Sequence, residues 1–149
     1  MSIKEAICAN NAPKAIGPYS PAIKIGDFIY VSGQLPILPD SGEIVEGGID
    51  AQAKQSLNNI QAILEEVGLT MDHIVKTNIF MTDLSEFGIV NEIYGSYFNE
   101  PYPARSTVQV AALPKNAKIE IEVYAIDTLA LEVICKEDCN ENTCCCKEE

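Results

Sequence analysis

The clearest pattern in the chain is a run of apolar residues that recur every three or four positions between residues 49 and 67. This spacing predicts an amphipathic helix that buries one stripe of its surface. Its apolar positions are Ile49, Ala53, Leu57, Ile60, Leu64 and Val67. Its polar positions fall elsewhere on the helix, at Gln52, Gln55, Asn59 and Glu66. Gly68 is placed to end the helix as its C′ residue, where a left-handed backbone is favoured.

A second helical stripe begins near residue 83. Its apolar positions are Leu84, Phe87, Val90, Tyr94 and Tyr97. Asp83 is placed as the N-cap, and Glu86 three residues later predicts a capping box in which Asp replaces the usual Ser or Thr. The segment NEPYPA, residues 99–104, contains two prolines and therefore breaks the helix.

Short β-prone stretches alternate with these helices. Residues 20–34 predict a hairpin with a two-residue type II′ turn at Gly26-Asp27. Further strands are predicted at 73–81, 105–111 and 118–126, the last two joined by the turn LPKNA. The order β-β-α-β-α-β-β, with right-handed crossovers, predicts an α+β fold. In this fold two helices cover one face of a two-layer mixed sheet.

One face of this sheet is left without a cover in a single chain. We expect that face to carry residues such as Val108 and Val110, or Ile119 and Ile121, because side chains alternate between faces along a strand. Exposed apolar surface of this kind marks an interaction site, and self-association is its simplest cover. The pattern therefore predicts an oligomer.

The charge balance restricts the partners of the protein. Its 149 residues include 22 acidic and 10 basic side chains, for a formal net charge of −12. Nucleic-acid binding needs clustered cations that neutralise phosphates, so this balance argues against a nucleic-acid partner. No apolar stretch reaches the ~20 residues of a membrane helix. The segment MSIKEAICAN lacks the apolar core of a secretory signal, and we therefore expect a cytoplasmic protein.

The composition changes near residue 131, which divides the chain into a single domain at 1–130 and an appendage at 131–149. The appendage is acidic and holds Cys135, Cys139, Cys144, Cys145 and Cys146. A disulfide framework is not expected, because the cytosol keeps thiols reduced. Thiolates can bind a soft metal such as zinc, but this spacing is not that of a zinc finger. We expect an acidic tail without a metal.

Arg105 is the only arginine in the chain. Its planar guanidinium suits a bidentate grip on a carboxylate, which lysine cannot provide. Alternation places Arg105, Thr107 and Gln109 on one face of their strand, and the next strand carries Glu120 and Glu122 on one face. If the two strands form a hairpin, Arg105 and one glutamate lie near a shared pocket, where the carboxylate can handle a water or a proton. The same pattern also fits a solvated strand in which Arg105 pairs with a glutamate for structure alone.

Other polar residues are weaker candidates. His73, the only histidine, is expected to lie at the surface or cap a turn rather than act as a base. The usual zinc-hydrolase ligand sets need at least two histidines, which this sequence lacks. Ser32-Gly33 at a strand end and Tyr19 after Gly-Pro can border a cleft, although such residues more often turn the chain or pack a loop.

Six segments are specific in combination. They are NAPKAIGPYSPAI, FIYVSGQLP, QAKQSLNNIQAILEEVGL, IVKTNIFMTDLSEF, VNEIY and YPARSTVQVAALPKNAKIEIE. With them the chain resembles the reactive intermediate deaminase A family, also called RidA or YjgF, over about residues 4–128. The resemblance implies a chorismate-mutase-like fold and a homotrimer with its sites between subunits. It also implies hydrolysis of 2-imino acids, such as 2-iminobutanoate and 2-iminopropanoate, to 2-oxo acids and ammonia without a cofactor or metal.

The resemblance further implies roles for single residues. Arg105 matches the arginine that clamps the substrate carboxylate, and Glu120 matches the glutamate that orients or activates the attacking water. The cleft wall is implied to include Tyr19, Ser32, Gly33, Phe87 and Asn91. Thr107 stands where many bacterial members have cysteine, at a position that contacts substrate largely through its backbone.

Two other functions stay open on the sequence. The same cleft in a non-catalytic trimer would bind 2-oxo acids or similar small carboxylates. Some relatives carry the label endoribonuclease or translation inhibitor, which the net charge of −12 argues against. The presence of both Arg105 and Glu120 favours the deaminase.

Overall fold

The computed structural model describes residues 3–128. In chain order the elements are β1 (Glu5–Ile7), β2 (Ala22–Ile25), β3 (Phe28–Gln34), α1 (Ile49–Glu65), β4 (Ile74–Met81), α2 (Phe87–Gly95), β5 (Ala104–Gln109) and β6 (Ile119–Ile126). Short 3₁₀ turns lie at Met71–His73, Leu84–Glu86 and Pro114–Asn116. The predicted α+β order is confirmed, with the short strand β1 added before it. The predicted tail at 131–149 and its cysteines lie outside the described residues.

The strands form one mixed sheet in the order β1-β2-β3-β6-β4-β5. β6 lies antiparallel between β3 and β4, whereas β5 runs parallel to β4 at the edge. The predicted hairpin between residues 105–111 and 118–126 is therefore wrong. The crossover through α2 places β5 beside β4 and parallel to it, as in a βαβ unit. The chain then passes β4 and forms β6 on the other side of β4, between β4 and β3.

Both helices pack on one face of this sheet and bury the core. Ile119, Ile121 and Val123 of β6 point toward the helices and are at most 1 % exposed. The expectation that Ile119 and Ile121 line the uncovered face is therefore wrong. The alternating pattern of β6 separates its residues into two sets, but only its pairing with β3 and β4 decides which set faces the helices.

The opposite face, called here the open face, has no cover from residues 3–128. Its apolar members include Phe28, Tyr30 and Val108, which are 54 %, 45 % and 47 % exposed. Tyr30 packs edge to face against Tyr124, with ring centroids 5.5 Å apart. The prediction of an uncovered face with Val108 on it is confirmed.

Two polar residues of α1 are buried, contrary to their predicted place on its polar side. Asn59 donates to the carbonyl oxygens of Leu35 and Ile37, at 3.1 and 2.9 Å. The Gln52 side-chain oxygen accepts a bond of 2.8 Å from the backbone N–H of Lys118. These amides satisfy backbone groups that would otherwise be buried without partners. They hold the ends of β3 and β6 against α1.

The predicted turn chemistry is confirmed at three places. Gly26 has a φ of +57° at the first position of the β2–β3 turn, as a type II′ turn requires. His73 caps a 3₁₀ turn, because its Nδ1 accepts a bond of 3.1 Å from the backbone N–H of Thr70. Asp83 accepts a bond of 2.8 Å from the backbone N–H of Ser85 and caps the 3₁₀ turn before α2.

Glu86, the predicted capping-box partner of Asp83, forms an ion pair with Lys118 instead. The Glu86 carboxylate accepts a bond of 2.9 Å from Lys118 Nζ, which links the residue before α2 to the residue before β6. No helix within residues 3–128 is long and apolar enough to cross a membrane.

Candidate active site

Arg105 lies on the helix-covered face of the sheet. In the β4–β5 register it stands beside Thr77, which is 0 % exposed. The guanidinium carbon lies 4.8 Å from the centre of the Tyr94 ring and 5.5 Å from that of Phe87, at cation–π distances. No carboxylate within residues 3–128 forms an ion pair with Arg105. The alternative of a structural ion pair with Glu120 or Glu122 is therefore wrong.

The guanidinium opens into a cleft of ≈ 570 Å³ between α2 and the start of β5. Its lining residues are Asn91, Glu92, Tyr94, Gly95, Tyr102, Pro103 and Arg105. This volume lies in the range of small-molecule sites. The cleft brings together Arg105 and Asn91. Phe87 lies outside its lining but contacts the Arg105 guanidinium.

Tyr94 and Tyr102 were not among the predicted site residues. Tyr94 lies three residues after Asn91 on the same helix, and that spacing could have identified it. Its hydroxyl hydrogen-bonds Thr77 Oγ1 at 2.9 Å, which fixes the ring under the guanidinium. Burial raises the pKa of the Tyr94 hydroxyl above its ordinary value, although the Thr77 bond and the charge of Arg105 act against that shift.

Thr107 lies on the same face as Arg105, two residues along β5. In the register it stands beside the buried Ile79. Its hydroxyl is buried and has no hydrogen-bond partner among residues 3–128.

Glu120 lies on the open face, where it pairs with Phe80 across the sheet. It lies against a β-bulge in β3, between the Val31–Val123 and Gln34–Ile121 pairs. This bulge contains Ser32 and Gly33. A Cβ added to Gly33 would lie 1.8 Å from Glu120 Oε1, so glycine is required for this approach.

The loop before β2 completes this second group. Tyr19 shares a shallow depression with Gly33, and its hydroxyl accepts a bond of 3.3 Å from the backbone N–H of Ile16. Ser32 Oγ donates to the Ser20 carbonyl at 2.7 Å and holds the loop on the bulge. Tyr19, Ser32, Gly33 and Glu120 thus form one cluster.

Two effects raise the pKa of the Glu120 carboxyl above its ordinary value: first its burial, and then the negative charge of Glu122. Glu122 is held in place by Asn78 Nδ2 at 2.7 Å and by the Tyr124 hydroxyl at 3.4 Å. A carboxylate with a raised pKa is a better proton acceptor near neutral pH.

The predicted site residues therefore form two half-sites. The Arg105 half-site comprises Phe87, Asn91, Arg105 and Thr107, and the Glu120 half-site comprises Tyr19, Ser32, Gly33 and Glu120. Arg105 points to the helix-covered face and Glu120 to the open face, so the expectation that they share a pocket within one chain is wrong. Among residues 3–128, no group of three His, Cys, Asp or Glu side chains is arranged to hold a metal.

Comparison with known proteins defines the class to which this fold and site belong. A sequence profile described as "Endoribonuclease L-PSP" matches residues 9–127, and the chain therefore belongs to that family. It is 51 % identical over 122 residues to a RutC family protein of Pyrococcus abyssi, covering 82 % of this chain and 96 % of that protein.

Two further comparisons bear on the resemblance to the RidA and YjgF family. The chain is 47 % identical over 124 residues to the human 2-iminobutanoate/2-iminopropanoate deaminase, covering 83 % of this chain and 90 % of that protein. A crystal structure of the Rid family protein YyfA from Yersinia pestis superposes with a TM-score of 0.80 at 52 % identity. It covers 83 % of this chain and 98 % of that chain. The predicted family and fold are thus confirmed.

Proposed function

We propose that the protein hydrolyses 2-imino acids, such as 2-iminobutanoate and 2-iminopropanoate, to 2-oxo acids and ammonia in the cytoplasm. The observation that carries this proposal is the guanidinium of Arg105, stacked on two rings, open to a cleft and without a carboxylate partner in residues 3–128. Such a group is a ready site for a substrate carboxylate. The human relative, named as a deaminase for these imines, supports the same substrate class.

A complete site in this proposal needs two copies of the chain. Arg105 and Glu120 lie on opposite faces of one sheet, so a neighbouring copy supplies the Glu120 half-site to the Arg105 half-site. The open face, with its exposed Phe28, Tyr30 and Val108, is the surface through which copies associate. A closed ring of three copies contains three such sites and leaves no half-site unused.

In the reaction, Arg105 holds the substrate carboxylate through two parallel hydrogen bonds. The Glu120 carboxylate accepts a proton from a water whose oxygen bonds to C2 of the imine. Glu120 passes this proton to the imine nitrogen as the C=N bond becomes a single bond, which gives a carbinolamine at C2. The proton of its hydroxyl then moves to the nitrogen, the C2–N bond breaks to release ammonia, and C2 becomes the carbonyl of the 2-oxo acid. Imines hydrolyse readily in water, so positioning and one carboxylate supply the needed acceleration.

The remaining predicted residues position these groups. Gly33 lets Glu120 approach the bulge, and Ser32 holds the loop that carries Tyr19. Thr107 and Asn91 complete the wall around the substrate carboxylate. Phe87 and Tyr94 orient the guanidinium from below.

The experiment couples the protein to a threonine dehydratase and follows 2-oxobutanoate while semicarbazide traps free imine. Wild type should outcompete the trap, and Arg105→Ala should lower kcat/KM by about 100-fold, since a hydrogen-bonded charge is lost. Arg105→Lys should recover only part of this, because lysine cannot bind bidentately. Lys54→Ala, which removes an exposed cation from α1, is the matched control and should behave as wild type.

A non-catalytic role in binding small carboxylates makes the opposite prediction. In that case wild type leaves the trapped fraction unchanged, while Arg105→Ala abolishes binding of 2-oxobutanoate. The description of the family names an endoribonuclease, but a net charge of −12 argues against RNA as the substrate of this chain.

A further inference from the structure

We propose that Glu92 is a specificity-determining residue that excludes ligands with a second carboxylate from the Arg105 cleft. The imine part of this inference rests on the proposed function. On that basis the substrates of the protein are 2-imino acids with uncharged side chains, and the imines of dicarboxylic amino acids are excluded.

The position of Glu92 carries the argument. It follows Asn91 on α2 and lines the same cleft as Arg105, on the helix that also supplies Tyr94 and Gly95. Glu92 is exposed and forms no ion pair or hydrogen bond with residues 3–128. Its negative charge is therefore not held in an ion pair and acts on a ligand in the cleft.

The cleft wall that one chain forms carries one positive and one negative side chain. Among the lining residues that one chain contributes, Arg105 is the only cation and Glu92 the only anion. In the proposed assembly the Glu120 carboxylate of a neighbouring copy adds a second anion and no cation. A ligand with one carboxylate satisfies Arg105 completely. A second carboxylate on the ligand would have no second cation to pair with on this wall. It would also lie near the negative charge of Glu92, and this repulsion disfavours binding.

The rest of the wall suits an uncharged ligand side chain. Tyr94, Tyr102 and Pro103 present ring and aliphatic surface, and Tyr102 is 53 % exposed and free to contact a ligand. Gly95 adds open space, because a Cβ there would meet no atom within 4 Å. The cleft can therefore accept side chains larger than those of 2-iminopropanoate.

Binding is the first test, by calorimetric titration of 2-oxobutanoate and 2-oxoglutarate. Wild type should prefer the monocarboxylate. Glu92→Gln should shift the affinity ratio about 3- to 10-fold toward 2-oxoglutarate, and Glu92→Lys should shift it further. These shifts should shrink in about 0.5 M salt, since an exposed charge is screened. Glu66→Gln, the same charge change on an exposed residue at the end of α1, should leave the ratio at the wild-type value.

Kinetics form the second test, with imines made from leucine or glutamate by an amino-acid oxidase in the presence of semicarbazide. Glu92→Gln should raise kcat/KM for the glutamate imine relative to the leucine imine by a similar factor. If both Glu92 variants keep the wild-type ratios, the inference is overturned while the deaminase activity stands. If wild type accelerates neither imine, the proposed function fails, and the binding ratios alone decide whether Glu92 selects against dicarboxylates.

Discussion

At the scale of single residues, the absence of a side chain at Gly33 decides where the Glu120 carboxylate lies. The Glu120 carboxylate occupies the space that a Cβ at Gly33 would need, with Oε1 only 1.8 Å from that position. The atoms in conflict belong to the end of a flexible side chain, which can move at little energetic cost. Gly33 is therefore expected to matter more for the place of Glu120 than for the fold.

Replacement of Gly33 by alanine tests this. We expect the free energy of unfolding to change by less than about 1 kcal/mol, because Glu120 swings away. The imine hydrolysis rate should fall by about 10- to 100-fold, because the carboxylate is displaced by an ångström or more. Denaturant titration and the semicarbazide assay measure the two quantities.

The double variant Gly33→Ala with Glu120→Gln is its control. If Gly33 acts through Glu120, the double variant should be no slower than Glu120→Gln alone. Additive losses would mean that Gly33 acts on some other group.

At the scale of elements, α1 ends in a Schellman motif. The backbone N–H of Gly68 donates to Glu65 at 3.0 Å, and that of Leu69 donates to Leu64 at 3.0 Å. Gly68 has a φ of +78°, the left-handed conformation that an L side chain disfavours. The sequence predicted this role for Gly68, because a glycine directly after a helical stripe is the usual end of a helix.

Gly68→Ala should therefore destabilise the protein by about 1 kcal/mol, the cost of a left-handed alanine. Gly88→Ala is the matched control, since Gly88 lies within α2 and a Cβ there would meet no atom within 4 Å. It should be neutral or stabilising by up to ~1 kcal/mol, because alanine favours helix. Thermal unfolding at one fixed protein concentration compares the two, and equal effects would contradict the Schellman assignment.

At the scale of the whole molecule, the sheet separates the two half-sites. Arg105 and Thr107 project toward the helices with β4, whereas Glu120 and the bulge lie on the open face. A single chain therefore cannot bring the Arg105 half-site and the Glu120 half-site into one pocket. The proposed assembly makes the activity a property of the interface between copies.

Mixing two impaired variants tests this directly. Arg105→Ala and Glu120→Gln should each keep only about a hundredth of the wild-type activity alone, but the two unfolded and refolded together in equal amounts should recover about a quarter of it. That fraction arises because one in four sites then combines an intact arginine from one copy with an intact glutamate from its neighbour. Wild type taken through the same refolding is the reference. A mixture that recovers no activity would mean that each site is built from one chain.

The errors of prediction share a cause. Gln52 and Asn59 are polar, yet they are buried because they bond backbone groups of residues far along the chain. The turn at LPKNA predicts a hairpin, yet β6 pairs with β3 and β4 because α2 has already placed β5 at the edge. Local patterns do not contain these long-range partners.

The sequence by itself determined the helices, the turns, the family and the importance of Arg105, because periodicity, glycine position and residue chemistry are local properties. It also separated each strand into two sets of side chains. Only the tertiary structure decided which set faces the helices, since that depends on strand order and register across the whole chain. That choice places Arg105 over Tyr94 and Glu120 beside Gly33, on opposite faces of one sheet.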